Sequence, residues 1–237
     1  MFTDFEQRFS PKSINDIVFA NDDTRELIND LITGVRPFPI RAGKCGILLY
    51  GVPGTGKSAL AKHLPETMER ARGGFAANER YESVQPGNNG LTMIGKIANQ
   101  AMFTPSATYH YFVLDEVDRL NKDAMSILKS VMNYPSTVWV LTTNHFKDID
   151  VAVKDRCYCI PFNAASAVNW FPLARRILAH AGIAGITDAQ LSAVIEPCNG
   201  SARQVTDAIA GLAITRVRHQ IPFSPVFDPS TLTKSST

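Results

Sequence analysis

The segment Gly51-Val52-Pro53-Gly54-Thr55-Gly56-Lys57-Ser58 combines residue types and spacing that suit one kind of chemistry, the binding of a polyphosphate. It follows the pattern G-x-x-x-x-G-K-[ST]. Glycines permit a tight bend that side chains would block, so backbone N–H groups can curl around a β-phosphate. Lys57 then supplies a point charge to the β- and γ-phosphates, and the Ser58 hydroxyl is a ligand for Mg²⁺. A helix opening at Ser58 and running through Ala59 to Arg72 would aim its positive dipole end at the same phosphates. A nucleoside triphosphate with magnesium is the expected ligand.

Hydrolysis of that ligand needs a held metal, an oriented water and a stabilised γ-phosphate charge. Asp115 closes the apolar run Tyr109 to Leu114, a suitable place for a carboxylate that binds magnesium through its waters. Glu116 follows at once and is placed to polarise the attacking water. Asn144 ends the next apolar run, Thr137 to Leu141 with Thr142-Thr143, where its amide could bond the γ-phosphate or that water.

These groups need a scaffold that gathers strand ends. The apolar run Gly46 to Tyr50 precedes the glycine-rich turn, and further strands are expected at Tyr81 to Gln85, Tyr109 to Leu114, Thr137 to Leu141 and Cys157 to Phe162. Helices are expected at Asp22 to Thr33, capped by Asn21 or Asp22 and stopped by Gly34, at Leu91 to Met102, and at Asp123 to Asn133. Strands alternating with helices predict an α/β fold with a parallel five-stranded sheet, whose ligands bind at the carboxyl ends of the strands. Beyond Phe162 the strand signals stop. Helices are expected at Ala165 to Ala181, Thr187 to Ile195 and Ala202 to Arg218, with Pro172 delaying or kinking the first. The expected organisation is a nucleotide-binding α/β domain over residues 1–162, a small helical lid domain over 163–219, and an extended or disordered tail over 220–237.

Composition excludes some classes and leaves others open. The chain has 237 residues, 45% hydrophobic and 19% charged, which suits a folded globular protein. Its formal net charge of +2 carries no global signature of nucleic-acid binding, so any such surface must be a local patch. Cys45, Cys157, Cys159 and Cys198 match neither paired zinc ligands nor a dense disulfide framework, and are expected to be reduced thiols in a cytoplasmic protein. The N-terminus has no basic-then-apolar signal, and no apolar run approaches the ~18 residues of a membrane span.

The order of these motifs resembles that of AAA+ ATPases, and within them the small subunits of sliding-clamp loaders such as replication factor C. The resemblance spans roughly Phe5 to Ile214. Arg8-Phe9-Ser10-Pro11, followed by Asp16-Ile17-Val18, is similar to the opening segment of those subunits, and implies that Arg8, Ile17 and Val18 line an adenine pocket for ATP. Asp115-Glu116-Val117-Asp118 resembles the DExD box, and Asn144 the first sensor. Asp155-Arg156-Cys157 resembles the serine-arginine-cysteine motif, which makes Arg156 a finger that reaches a neighbouring subunit's ATP and implies a homo- or hetero-oligomer. Gly200-Ser201-Ala202-Arg203 resembles the start of the lid helix, with Arg203 as second sensor. Ser10 and Asp155 depart from the family pattern, and the residues after Arg218 are too few for the collar domain of clamp-loader subunits.

The resemblance further implies DNA contacts at helix starts, through Asn89, Thr92 and Lys96, and through Lys122 and Lys129 on the helix after the DExD box. It implies ATP-driven loading or remodelling on DNA, or of a protein bound there, with no membrane involved. Two other classes stay open: a nucleotide-gated assembly module with slow hydrolysis, and a small-molecule kinase, against which the DExD box, Asn144 and the helical segment argue.

Overall fold

The computed structural model describes residues 9–40 and 43–220. Arg8 and residues 221–237 of the expected tail at 220–237 lie outside the described residues. Five strands, β1 (Gly46–Tyr50), β2 (Asn78–Ser83), β3 (His110–Asp115), β4 (Thr137–Thr143) and β5 (Cys157–Pro161), form one parallel sheet in the order β2-β3-β4-β1-β5. The expected α/β fold with a parallel five-stranded sheet is the fold observed.

The helices are α1 (Asp22–Thr33), α2 (Lys57–Ala71), α3 (Leu91–Ala101), α4 (Lys122–Val131), the short α5 (Val151–Asp155), α6 (Ala167–His180), α7 (Asp188–Ile195) and α8 (Ala202–Gln220). Strands β1, β3 and β4 are apolar on both faces because helices cover both. On one face Leu48, Phe112, Leu114, Trp139 and Leu141 pack with Ile94 and Ile97 of α3 and Leu128 of α4. On the other, Ile47, Leu49, Tyr111, Val113, Val138 and Val140 pack with Ile28 and Leu31 of α1 and Leu60 and Leu64 of α2. The edge strand β2 instead alternates half-buried and exposed residues.

Local chemistry sets the helix ends. The Asn21 side chain accepts a hydrogen bond from the Thr24 N–H at 2.9 Å, and Gly34 closes α1 in the left-handed conformation at φ 79°. Asn121 caps α4 in the same way through the Ala124 N–H. Two expectations shift. β2 runs from Asn78 to Ser83 rather than from Tyr81 to Gln85, because its pairing with β3 begins where Asn78 is level with His110, and its polar residues carry no apolar strand signal. Pro172 lies inside α6, which begins at Ala167 under a capping box formed by Ser166 and Asn169.

Helices α6, α7 and α8 enclose their own apolar cluster, including Trp170, Ile177, Leu191, Ile195, Val205 and Ile209. Phe9, Val18 and Ala20 pack on it from the N-terminal segment. Asp16 and Arg176, joined at 2.8 Å, tie the same segment to α6.

Candidate functional site

The loop after β1 is shaped by its glycines. Gly51, Gly54 and Gly56 have φ values of 149°, 84° and 103°, a region that side chains rarely adopt. A Cβ on Gly51 would stand 2.5 Å from the Phe162 carbonyl oxygen, and one on Gly54 would stand 2.7 Å from the Ser201 hydroxyl. The loop delivers the chain into α2, whose first residue is Lys57. Lys57 is 6% exposed, and its Nζ donates to the carbonyls of Gly51 at 3.0 Å and Val52 at 2.6 Å. Burial lowers its pKa, against the opposing pull of Asp115, Asp118 and Glu116. The buried Thr55 donates to the Val52 carbonyl at 3.2 Å. Val52 and Pro53 are exposed at the tip, and Ala59 packs half-buried against the sheet in the first turn of α2.

The order of the strands brings the acidic groups to this loop. Asp115 ends β3, and its Oδ1 accepts from the Ser58 hydroxyl at 2.7 Å and from the Thr142 hydroxyl at 2.6 Å. Its Oδ2 accepts from the Tyr81 hydroxyl at 2.8 Å. Glu116 sits in the left-handed region at φ 60°, with its N–H donating to the Thr142 hydroxyl and its carboxylate paired with Arg119 at 2.8 Å. Thr143 donates to Asp118 at 2.7 Å. Asn144 follows β4, between the ends of β3 and β1; it is half-buried, and its side-chain amide has no hydrogen bond among the described residues.

A hydroxyl beside a carboxylate, at the start of a helix whose loop has open N–H groups, fits magnesium and a polyphosphate. Magnesium takes hard oxygen ligands, and phosphate oxygens accept from the N–H groups at a helix start. When bound, magnesium would be held by Ser58 and, through water, by Asp115.

The other expected site residues divide into two groups. Ile17 is buried in the cluster that also holds Phe162 and residues of α1 and α2, while Val18 packs on the helical cluster and Asp16 is bonded to Arg176 of α6. Arg203 is exposed in the first turn of α8, and the N–H of the preceding Ala202 donates to the Gly54 carbonyl at 2.8 Å. The start of α8, with Arg203, therefore lies against the loop. Arg156 does not. It precedes β5, where Cys157 is level with Gly46, whereas the loop departs at the other end, where Pro161 is level with Tyr50. The length of β1 puts about 13 Å between those ends. The Arg156 guanidinium donates to Asn133 at 2.9 Å and to the Ala152 carbonyl at 2.7 Å.

The expected nucleic-acid residues cluster where α3 and α4 begin. The Asn121 N–H donates to the Asn89 carbonyl at 3.0 Å, and the Asn89 amide donates to the Arg119 carbonyl at 3.1 Å. Thr92, Lys96 and Lys122 are exposed around this junction, whereas Lys129 is engaged by Asp150 at 3.1 Å.

Sequence reasoning missed Tyr81 and Thr142 as members of the site. Thr142 was visible as a polar residue closing an apolar strand. Tyr81 carried no signal, because its contact depends on the pairing of β2 with β3.

Residues 47–162 match the model of the ATPase family associated with various cellular activities (AAA). No curated protein matches the chain by sequence. Among solved structures, the chain is similar to RuvB of Thermotoga maritima, a Holliday junction branch migration motor, at 17% identity and a TM-score of 0.67, over 89% of this chain and 67% of that one. Two mutants of RuvB superpose with TM-scores of 0.69 at 16% identity, covering 90% and 91% of this chain and 68% and 69% of theirs. At this identity the likeness establishes a common fold.

Proposed function

We propose that this chain, which carries an AAA ATPase domain at residues 47–162, hydrolyses Mg²⁺-ATP between the subunits of an oligomer and uses the cycle to act on DNA or on a protein bound to it. The observation that carries the reading is Asp115 held by Ser58 and Thr142 at the foot of the loop, with Glu116 adjoining. Lys57 and the loop N–H groups bind and orient the phosphates, and magnesium held by Ser58 and Asp115 would supply charge neutralisation. Glu116 orients a water toward the γ-phosphorus and takes its proton as the bond to the β–γ bridging oxygen breaks, leaving ADP and phosphate. Its ion pair with Arg119 must part first. That pair is substantially exposed, so the cost is within about 1 kcal/mol.

Arg156 supports the oligomeric part of the reading. On the far edge of the sheet it is unable to reach its own loop, yet a neighbouring copy stacked edge to edge would receive it. Asn144 is placed to bond the γ-phosphate, and Arg203 to contact it from α8. The abutting starts of α3 and α4, with Asn89, Thr92, Lys96 and Lys122, support contact with a phosphate backbone. RuvB, of the same fold, is a DNA motor, and the segment Phe9 to Val18 with Asp155-Arg156-Cys157 favours a clamp-loader-like role over other AAA+ roles. A cytoplasmic location suits the reduced thiols.

ATP turnover measured with and without primed DNA, together with particle size in ATP, tests the proposal. ATP-dependent assembly and DNA-stimulated turnover are expected. A monomer in ATP whose turnover ignores DNA would overturn it.

A further inference from the structure

Tyr81 belongs to the exposed edge of the sheet by position, yet its hydroxyl ends inside the site. In the β2–β3 pairing Tyr81 is level with Val113, and Ser83 with Asp115. Side chains level with each other in a parallel pair point to the same face, so Tyr81 shares a face with both Val113 and Asp115. Two residues along a strand span about 6.6 Å, close to the reach of a tyrosine from Cα to hydroxyl. The ring is 36% exposed, and the Lys62 Nζ stands 4.8 Å over it. Burial, together with the bond to Asp115, raises the pKa of the hydroxyl.

The hydrogen bonds of Asp115 divide unequally. Ser58 and Thr142 both donate to Oδ1, while Tyr81 donates to Oδ2. The terminal torsion of an aspartate is soft, and rotation about the Cβ–Cγ bond moves both oxygens together, so the donors on Oδ1 and the donor on Oδ2 hold the plane jointly. Loss of the Oδ2 donor loosens that plane. Ser58 must also turn a lone pair to magnesium while its O–H donates to Oδ1, so its orientation answers to two partners. Tyr81 has no such second duty.

We infer that Tyr81 is a positioning residue for magnesium: by holding Oδ2 it sets the plane in which Asp115 presents its free lone pairs to the metal's waters beside Ser58. The inference rests on the reading of the loop as a Mg²⁺-nucleotide site.

The test is Tyr81→Phe, which keeps the ring under Lys62 and removes only the hydroxyl. Binding of a fluorescent ATP analogue is followed as Mg²⁺ is titrated, and again in EDTA. The half-saturating Mg²⁺ concentration is expected to rise about three- to tenfold, the scale of one hydrogen bond to a charged group at a partly exposed position. Affinity in EDTA and the melting temperature in EDTA are expected to match wild type. An unchanged half-saturating Mg²⁺ concentration overturns the inference, and so does a lowered one, which would make Tyr81 a competitor of the metal. Equal losses with and without Mg²⁺ also overturn it, by making the hydroxyl a general structural contact. Wild-type binding that ignores Mg²⁺ would instead remove the magnesium site itself.

Discussion

The two edges of the sheet are built from the same strands and do opposite things. At the carboxyl edge, β1, β3 and β4 deliver the glycine loop, Asp115, Glu116 and Asn144 into one small volume. At the amino edge, a strand length away, Arg156 is braced by Asn133 and Ala152 and, among the described residues, meets no phosphate-binding group. Each edge also holds a carboxylate ringed by hydroxyls, with different outcomes. Asp115 is half-buried at the mouth of the loop, whereas Glu69, at the end of α2, is 2% exposed and takes hydrogen bonds from Thr108 and Tyr111. A hydroxyl-bound carboxylate is therefore not functional by itself. The glycine loop and helix start beside Asp115 make the difference.

The largest effect expected is on the separation of the edges. Arg156→Ala should lower turnover by roughly 10³- to 10⁵-fold, the range for an arginine supplied to a transferring phosphoryl group, while ATP binding persists. Glu116→Gln should lower it by about 10²- to 10⁴-fold, also with ATP retained. Mixing the two inactive proteins sharpens the comparison. If Arg156 serves a neighbour, mixed oligomers contain interfaces with an intact Glu116 facing an intact Arg156, and measurable turnover returns. A mixture as inactive as its components would place both residues in the same chain's site.

Gly54→Ala probes the carboxyl edge alone. The substitution forces a left-handed backbone on alanine, at about 1–2 kcal/mol, and drives its Cβ toward Ser201. Titration calorimetry should show ATP affinity reduced about 5- to 30-fold. An unchanged affinity would mean that loop and α8 yield together. The smallest effect concerns Glu69. Burial pushes its pKa up, but the hydrogen bonds from the Thr108 N–H and hydroxyl and from the Tyr111 hydroxyl outweigh this, so the net shift is downward from 4.5. A depressed carboxylate stabilises the fold above its unfolded pKa, and that contribution is lost as pH falls through the folded value. Wild-type melting temperature should therefore hold near neutrality and fall below about pH 4.5, with a shallower acid slope in Glu69→Gln, as thermal melts across pH would register.

Features written in adjacent residues were legible in the sequence. The loop, the Asp115-Glu116 pair and α1, from the Asn21 cap to the Gly34 stop, depend on neighbours in the chain. The contacts that complete the site depend on register and packing instead. Tyr81 meets Asp115 only because β2 pairs with β3 two residues back from the strand end, and the polar residues of β2 hid even the start of that strand. Ser201 meets Gly54 only because α6 to α8 fold back over the loop. The one-turn helix α5 left no periodic trace, yet it holds the Ala152 carbonyl that orients Arg156.

The bond from the Ala202 N–H to the Gly54 carbonyl has a mechanical meaning. Ala202 is the first residue of α8, which runs to Gln220 and, at 1.5 Å per residue, is a rod of about 28 Å. Its fulcrum is the loop itself. A tilt of roughly 10° at that fulcrum would sweep the far end of the rod by about 5 Å. A displacement of the Gly54 peptide smaller than a bond length could in this way be magnified, with α8 as the lever arm, into one that a neighbouring molecule can feel.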